Sequence, residues 1–135
     1  MRNKTRNVDR IILKKIIGYC DDINCLMLRF NATFEQYVND IAFQYSCNMC
    51  ILQIGELTTR LSESFKLKYK HIPWQSIKGM RNIHAHEYEK IDFEGMWDTL
   101  KDDIPELKDN LLKILTDMEN DGQDALESGA MGNEI

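Results

Sequence analysis

Apolar residues recur at steps of three and four along most of this chain, and that spacing constrains the fold more than any other feature. Val8, Ile11, Ile12, Ile16, Tyr19, Ile23 and Leu26 form the first such series. A series of this period lines one side of an α-helix, whereas on a strand it would scatter over both faces. The spacing predicts a helix from Asn7, which can cap it, to about Arg29, followed by a turn over 31–33. Thr33 and Gln36 have the form of a capping box and open a helix through Phe34, Tyr37, Val38 and Ile41. A second long stripe takes in Cys47, Cys50, Ile51, Ile54, Leu57, Leu61 and Phe65 and ends among residues 66–71. It reads equally as a separate helix or as a continuation after a kink. Pro73 suits the first turn of the next helix, where its missing N–H costs nothing. That helix carries Trp74, Ile77, Met80 and Ile83. Asp92 can cap a helix bearing Met96, Trp97 and Leu100. Pro105 starts or kinks the last one, with Leu107, Leu111, Ile114, Leu115 and Met118 inward.

Only 7 Gly and 2 Pro occur in 135 residues, too few turn-formers for a many-stranded sandwich or barrel. The expectation is therefore an all-α, up-and-down bundle of about five helices. The length suits a single domain, placed at residues 1–119. Residues 120–135 are polar, small and apolar-poor, which predicts a disordered or loosely packed tail. No apolar run is long enough to span a bilayer, and the polar start lacks the core of a secretion signal. A cytoplasmic protein with no membrane partner is expected.

Charge narrows the function. A net charge of −5 argues against a protein that coats nucleic acid non-specifically. The cations are nonetheless gathered. Arg2, Lys4, Arg6, Arg10, Lys14 and Lys15 make the start basic, and Arg60, Lys66, Lys68, Lys70, Lys78 and Arg81 form a second basic stretch with Glu63 as its one acid. From Glu89 onward acids predominate. Such runs are ordinarily solvated helix faces, although a local phosphate site is compatible with them. The cysteines fall at Cys20, Cys25, Cys47 and Cys50, and the last pair could be read as half of a zinc site. Neither pair encloses the Gly or Pro of a tight knuckle, and Cys47 and Cys50 continue an apolar stripe. They are expected as small buried hydrophobes, with no metal and no cofactor.

One segment departs from simple amphipathic design. Met80-Arg81-Asn82-Ile83-His84-Ala85-His86-Glu87-Tyr88 packs a guanidinium, an amide, two imidazoles, a carboxylate and a phenol into two helical turns. On a regular helix Arg81, His84 and Tyr88 lie within about 60° of one another, while His86 sits about 140° round from Arg81. Arg81 can then meet His84 in its own chain. It can meet His86 if the helix distorts after Ala85, or if the arginine comes from a second subunit. Spacing leaves these alternatives open.

The run Arg81, four residues, His86, one residue, Tyr88 resembles the R-x4-H-x-Y motif of HepT-like toxins in the HEPN superfamily of ribonucleases. Ile54-Gly55-Glu56, Arg60-Leu61-Ser62, Ile72-Pro73-Trp74, Gly79-Met80-Arg81-Asn82, Ile91-Asp92, and Trp97 followed by Leu107 share the likeness, from about Phe34 to Leu115. His84, in a motif interior that is more often aliphatic or small, the acidic Glu87 and the apolar stretch from Ala42 to Cys50 are departures. The resemblance implies an all-α homodimer with motif helices facing each other, acting as a metal-independent endoribonuclease. It also implies a minimal nucleotidyltransferase antitoxin as partner, which adds AMP to Tyr88.

Elementary chemistry agrees. Metal-free RNA cleavage uses the ribose 2′-OH as nucleophile and needs a base, an acid and positive charge at the phosphorane. Imidazole serves as acid or base near neutrality, and guanidinium matches phosphate oxygens. One His86 cannot be both neutral and protonated, whereas a two-fold dimer supplies two. Arg81 and His86 are thus the expected catalytic pair, with Asn82 and Tyr88 supporting RNA contacts. His84 reads as a spectator or dimer contact, His71 as surface, and Trp74 and Trp97 as core. Glu56 reads as cleft or helix surface alike. The alternative is a non-catalytic helical module that docks a nucleotidyltransferase and presents a substrate to it.

Overall fold

The computed structural model describes residues 2–80 and 92–133, with side chains for 3–80 and 92–121. The described residues are helical, without strands, as the periodicity predicts. Three long helices make the frame: α1 (Arg2–Arg29), α3 (Ile41–Thr58) and α7 (Ile104–Asn133). Four six-residue helices join them: α2 (Phe34–Asn39), α4 (Glu63–Lys68), α5 (Trp74–Gly79) and α6 (Phe93–Asp98). Helix α1 packs against both α3 and α7, and α3 also packs against α5.

The first helix begins five residues before Asn7. Its extra turn is pinned from outside, because the Arg6 guanidinium donates to the Met118 carbonyl of α7. At the other end the chain leaves through Asn31, whose φ of 55° lies in the left-handed region. Asparagine tolerates that conformation better than most residues. Thr33 Oγ1 accepts from Gln36 N at 3.1 Å, which is the capping half of the expected box.

The second apolar stripe proves to be two helices. Asp40 caps α3 by accepting from Phe43 N at 3.1 Å, so the helix starts upstream of Cys47. It stops at Thr58 instead of continuing into residues 66–71. There Thr58 Oγ1 donates to Ile54 O at 2.8 Å and Thr59 Oγ1 to Glu56 O at 2.6 Å. Threonine hydroxyls that take the last carbonyls give the backbone an alternative to another helical turn. Ser62 then caps α4 through Phe65 N. Leu61 and Phe65 stay buried, so the apolar spacing outlives the break in the helix.

Pro105 explains the other irregularity. Residues Thr99–Asp103 form a π-helical turn, closed by Ile104 N–H donating to Thr99 O. Proline lacks an N–H, and its ring crowds the carbonyl four residues earlier. Widening the preceding turn by one residue relieves that crowding while the chain continues into α7. The backbone of α7 then runs as helix to Asn133.

The core is continuous. Leu13, Ile16, Ile23, Phe43, Ile51, Ile54, Leu100 and Leu111 are fully or almost fully buried. At one end an aromatic cluster stacks Phe30 on Phe43 at 5.2 Å and sets Tyr37 within about 6 Å of Phe43, Phe93 and Trp97. Beneath it Tyr37 donates its hydroxyl to Asn48 Oδ1 at 2.6 Å, with both side chains at 0% exposure.

Candidate functional site

The polar segment that the sequence singles out lies in sequence between α5 and α6, and the described residues on either side of it, up to Met80 and from Asp92, are firmly held. On the near side Trp74 and Ile77 of α5 are buried, and Trp74 Nε1 donates to Tyr69 O at 3.0 Å. Pro73 stands at the cap position, and the Trp74 amide bonds Ile72 O at 2.8 Å across it. A single-turn helix of six residues is marginal alone; burial of Trp74 and Ile77 is what keeps it formed. Met80 closes it, with its amide donating to the Ile77 and Lys78 carbonyls.

On the far side Asp92 caps α6, accepting from Gly95 N at 3.0 Å. Gly95 leaves room for this approach, since a Cβ there would lie 2.4 Å from Asp92 Oδ2 and the carboxylate would have to shift. Helix α6 is anchored in turn by Trp97, which is 9% exposed and packs on Tyr37 and Phe43. Trp74 and Trp97 are both core residues, as their spacing predicts, and so hold the segment's flanks instead of presenting a stacking surface.

Arg81, Asn82, His84, His86, Glu87 and Tyr88 lie outside the described residues. Their neighbours do not. Met80 borders a cleft with His71, Pro73 and Ser76 on one side and Asp103, Glu106 and Asn110 on the other. His71 is exposed, as expected, and stands edge-on to the Tyr69 ring at 6.4 Å. Glu56 is half-buried on α3, and its carbonyl serves the Thr59 cap.

Three of the four cysteines are the buried hydrophobes expected, and Cys25 departs from that expectation. Cys20, Cys47 and Cys50 are buried, while Cys25 is exposed. Burial pushes the thiols of Cys20 and Cys47 up to about 12, aided by Asp21 in the first case and by Cys50 in the second. Burial and nearby Asp22 push Cys50 up to about 11. Among the described residues no cluster of His, Cys, Asp or Glu is placed to hold a metal ion. Likewise no described helix is long and apolar enough to cross a membrane.

Sequence reasoning missed Asp9, an acid in a basic stretch with no motif around it. It is only 4% exposed and accepts from Ser62 N at 2.9 Å and Ser62 Oγ at 2.6 Å. The only signal was its spacing of three, four and seven residues from Ile12, Leu13 and Ile16, which line the buried face of α1, whereas Val8 and Ile11, expected inward, are about half exposed. Asp9 fastens the start of α1 to the α3–α4 turn and so brings the two basic stretches of sequence together.

Comparison with known proteins adds an independent line. The family described as "HepT-like: Ribonuclease HepT-like" matches residues 13–114, a span that includes the whole polar segment. "Putative RNase MJ1216" of Methanocaldococcus jannaschii is 32% identical over 117 residues, covering 87% of this chain and 95% of that protein. "Putative RNase MJ0125" of the same organism is 33% identical over 110 residues, 82% of this chain and 93% of its own. "Probable ribonuclease HepT" of Thermococcus cleftensis is 32% identical over 81 residues, 60% of this chain and 74% of its own. No solved structure matches the chain.

Proposed function

Since this chain belongs to the HepT-like ribonuclease family and is an endoribonuclease by that membership, we propose that Arg81 and His86 carry out its chemistry. The reading has them act as a metal-independent RNA-cleaving pair, contributed twice by a homodimer. The observation that carries it is the intact Arg81-x4-His86-x-Tyr88 set inside the matched span 13–114, bracketed by the anchored ends Met80 and Asp92.

In this mechanism one neutral His86 takes the proton of a ribose 2′-OH, whose oxygen attacks the adjacent phosphorus. The phosphorane's charge is shared with the two Arg81 guanidinia, which fit phosphate oxygens through paired N–H donors. The His86 of the other copy, protonated at the start, gives its proton to the departing 5′-oxygen. The P–O5′ bond breaks, leaving a 2′,3′-cyclic phosphate and a 5′-hydroxyl. Asn82 orients the phosphate or His86, and Tyr88 contacts the strand. DNA lacks the nucleophile and resists cleavage.

The wider assignment is a toxin of a type II toxin–antitoxin pair. A nucleotidyltransferase antitoxin neutralises it by transferring AMP from ATP to the Tyr88 hydroxyl, with pyrophosphate leaving. An anionic nucleotide on that phenol would occupy the cleft and repel RNA phosphate. The test is cleavage of RNA by the purified protein in chelator, beside Arg81→Ala and His86→Ala. Both variants should lose activity while keeping the wild-type helical spectrum and dimer mass. Full activity in either refutes the assignment. Tyr88→Phe should abolish an AMP adduct seen by intact mass with the partner and ATP.

A further inference from the structure

We propose that the groove between the start of α1, helix α4 and helix α7 is a second RNA-binding surface, which holds the phosphodiester backbone with Arg6 and Lys68. The proposal extends the ribonuclease reading to a place that the polar segment does not occupy. It rests on that reading for the choice of RNA over other polyanions.

Segregation of charge in an acidic protein is the first observation. The chain carries a net −5, yet Asp9 ties the basic start of α1 to the basic stretch after Ser62 through bonds of 2.9 and 2.6 Å. One cation from each run, Arg6 and Lys68, thereby lines a single groove of about 660 Å³, with Asp9 also in its wall. Thr5, Ser64 and Asn3 add polar atoms to its walls. Exposed Lys4 and Lys70 extend the basic surface in sequence beyond it on either side.

The state of the nearby acids is the second observation. Asp9 lines the groove and keeps its charge, but both of its oxygens are directed to Ser62 N and Oγ. Glu63 is paired with Lys66 at 3.3 Å. Asp121 is the acid that faces Lys68, at a loose 3.8 Å, with the two side chains 63% and 53% exposed. An exposed pair at that separation holds little energy, so a phosphate can replace the carboxylate. Arg6 uses its guanidinium to hold the Met118 carbonyl, which fixes the direction of a group with five N–H donors in a planar fork. A cation positioned by the fold loses less entropy on meeting an anion than a free one.

Continuity with the polar segment is the third. Tyr69 borders this groove, and His71 and Ile72 border the cleft that ends at Met80, the residue before Arg81. Phosphate contacts from Arg6 and Lys68 grip the backbone without reading bases.

The experiment measures binding, not cleavage. The full-length protein is titrated against a fluorescent 20-nucleotide 2′-O-methyl RNA, which has no free 2′-OH, across a range of salt. Lys68→Gln should weaken binding roughly threefold to tenfold at low salt and lower the slope of log K against log salt by about 0.7. Asp121→Asn should tighten binding by a few-fold, because it removes the competing carboxylate. Lys101→Gln, in the π-helical turn that precedes α7, serves as the control and should change nothing. Both test residues are exposed, so folding is not at stake. Opposite shifts at 68 and 121 support the groove. Unchanged affinity in either variant, or a shift equal to that of the control, overturns it. Loss of nuclease activity in the wild type would instead strike the Arg81–His86 assignment and leave this readout intact.

Discussion

The hydrogen bond between Tyr37 and Asn48 can be tested with particular sharpness, because it is buried, short and isolated from solvent. Tyr37 Oη lies 2.6 Å from Asn48 Oδ1, and both residues are wholly inaccessible. Asn48 Nδ2 has no partner among the described residues, so the amide depends on its oxygen for satisfaction. Tyr37→Phe keeps the ring on Phe43, Phe93 and Trp97 but strands that oxygen. Leaving one buried acceptor unmade costs about 1–3 kcal/mol. For a chain of this length that is a fall in Tm of roughly 3–5 °C per kcal/mol. Asn48→Leu should cost a similar amount by removing the acceptor. The double variant Tyr37→Phe/Asn48→Leu replaces both partners with apolar groups, which is close to neutral relative to either single change. Urea unfolding of the four proteins should therefore give a coupling of about 1–3 kcal/mol. Additive losses, or a Tyr37→Phe variant within about 0.5 kcal/mol of wild type, would show that the bond does not hold the aromatic cluster. Because Phe93 and Trp97 both belong to α6, amide exchange in 92–98 should rise before exchange in α1.

Other perturbations have equally direct readouts. Trp97→Ala empties the centre of the aromatic cluster and should cost about 3–5 kcal/mol in chemical denaturation, with RNA cleavage falling as the Asp92 end loosens. Cys20, Cys47 and Cys50 have folded pKa values above the ordinary 9.0, pushed to about 12, 12 and 11. Their neutral thiols stabilise the fold fully below about pH 9, and that stability is lost as pH rises toward 11–12, since the unfolded chain deprotonates first. Tm should thus decline above pH 9, and less steeply in a Cys47→Ala variant once its own cavity cost is subtracted. At pH 8 a thiol reagent should label Cys25 rapidly and the other three only at the rate of opening. Asn31→Val places a branched side chain at a φ of 55° and should cost about 1–2 kcal/mol by thermal melt, whereas Asn31→Gly should be neutral or better.

Local patterns carried much of the architecture. The three–four spacing, the Thr33 and Asp92 caps and the scarcity of Gly and Pro gave the helical class and the order of the helices. These features act over a few residues, and neighbouring residues report them directly. The family likeness also rests on a linear run, Arg81 to Tyr88, and the matched span covers it. Helix ends were less legible. The start of α1 depends on Arg6 meeting a carbonyl of α7, 112 positions away, and the end of α3 depends on threonine hydroxyls competing for carbonyls that a longer helix would also use.

Tertiary structure alone decided which charges share a surface. Nothing adjacent to Asp9 announces that its carboxylate is buried against Ser62, and nothing in either basic run says that the other lies beside it. Periodicity states which face of a helix turns inward, but not which helix receives it. That choice is made by packing among all the apolar faces at once, and the joining of Arg6 to Lys68 in one groove follows from it.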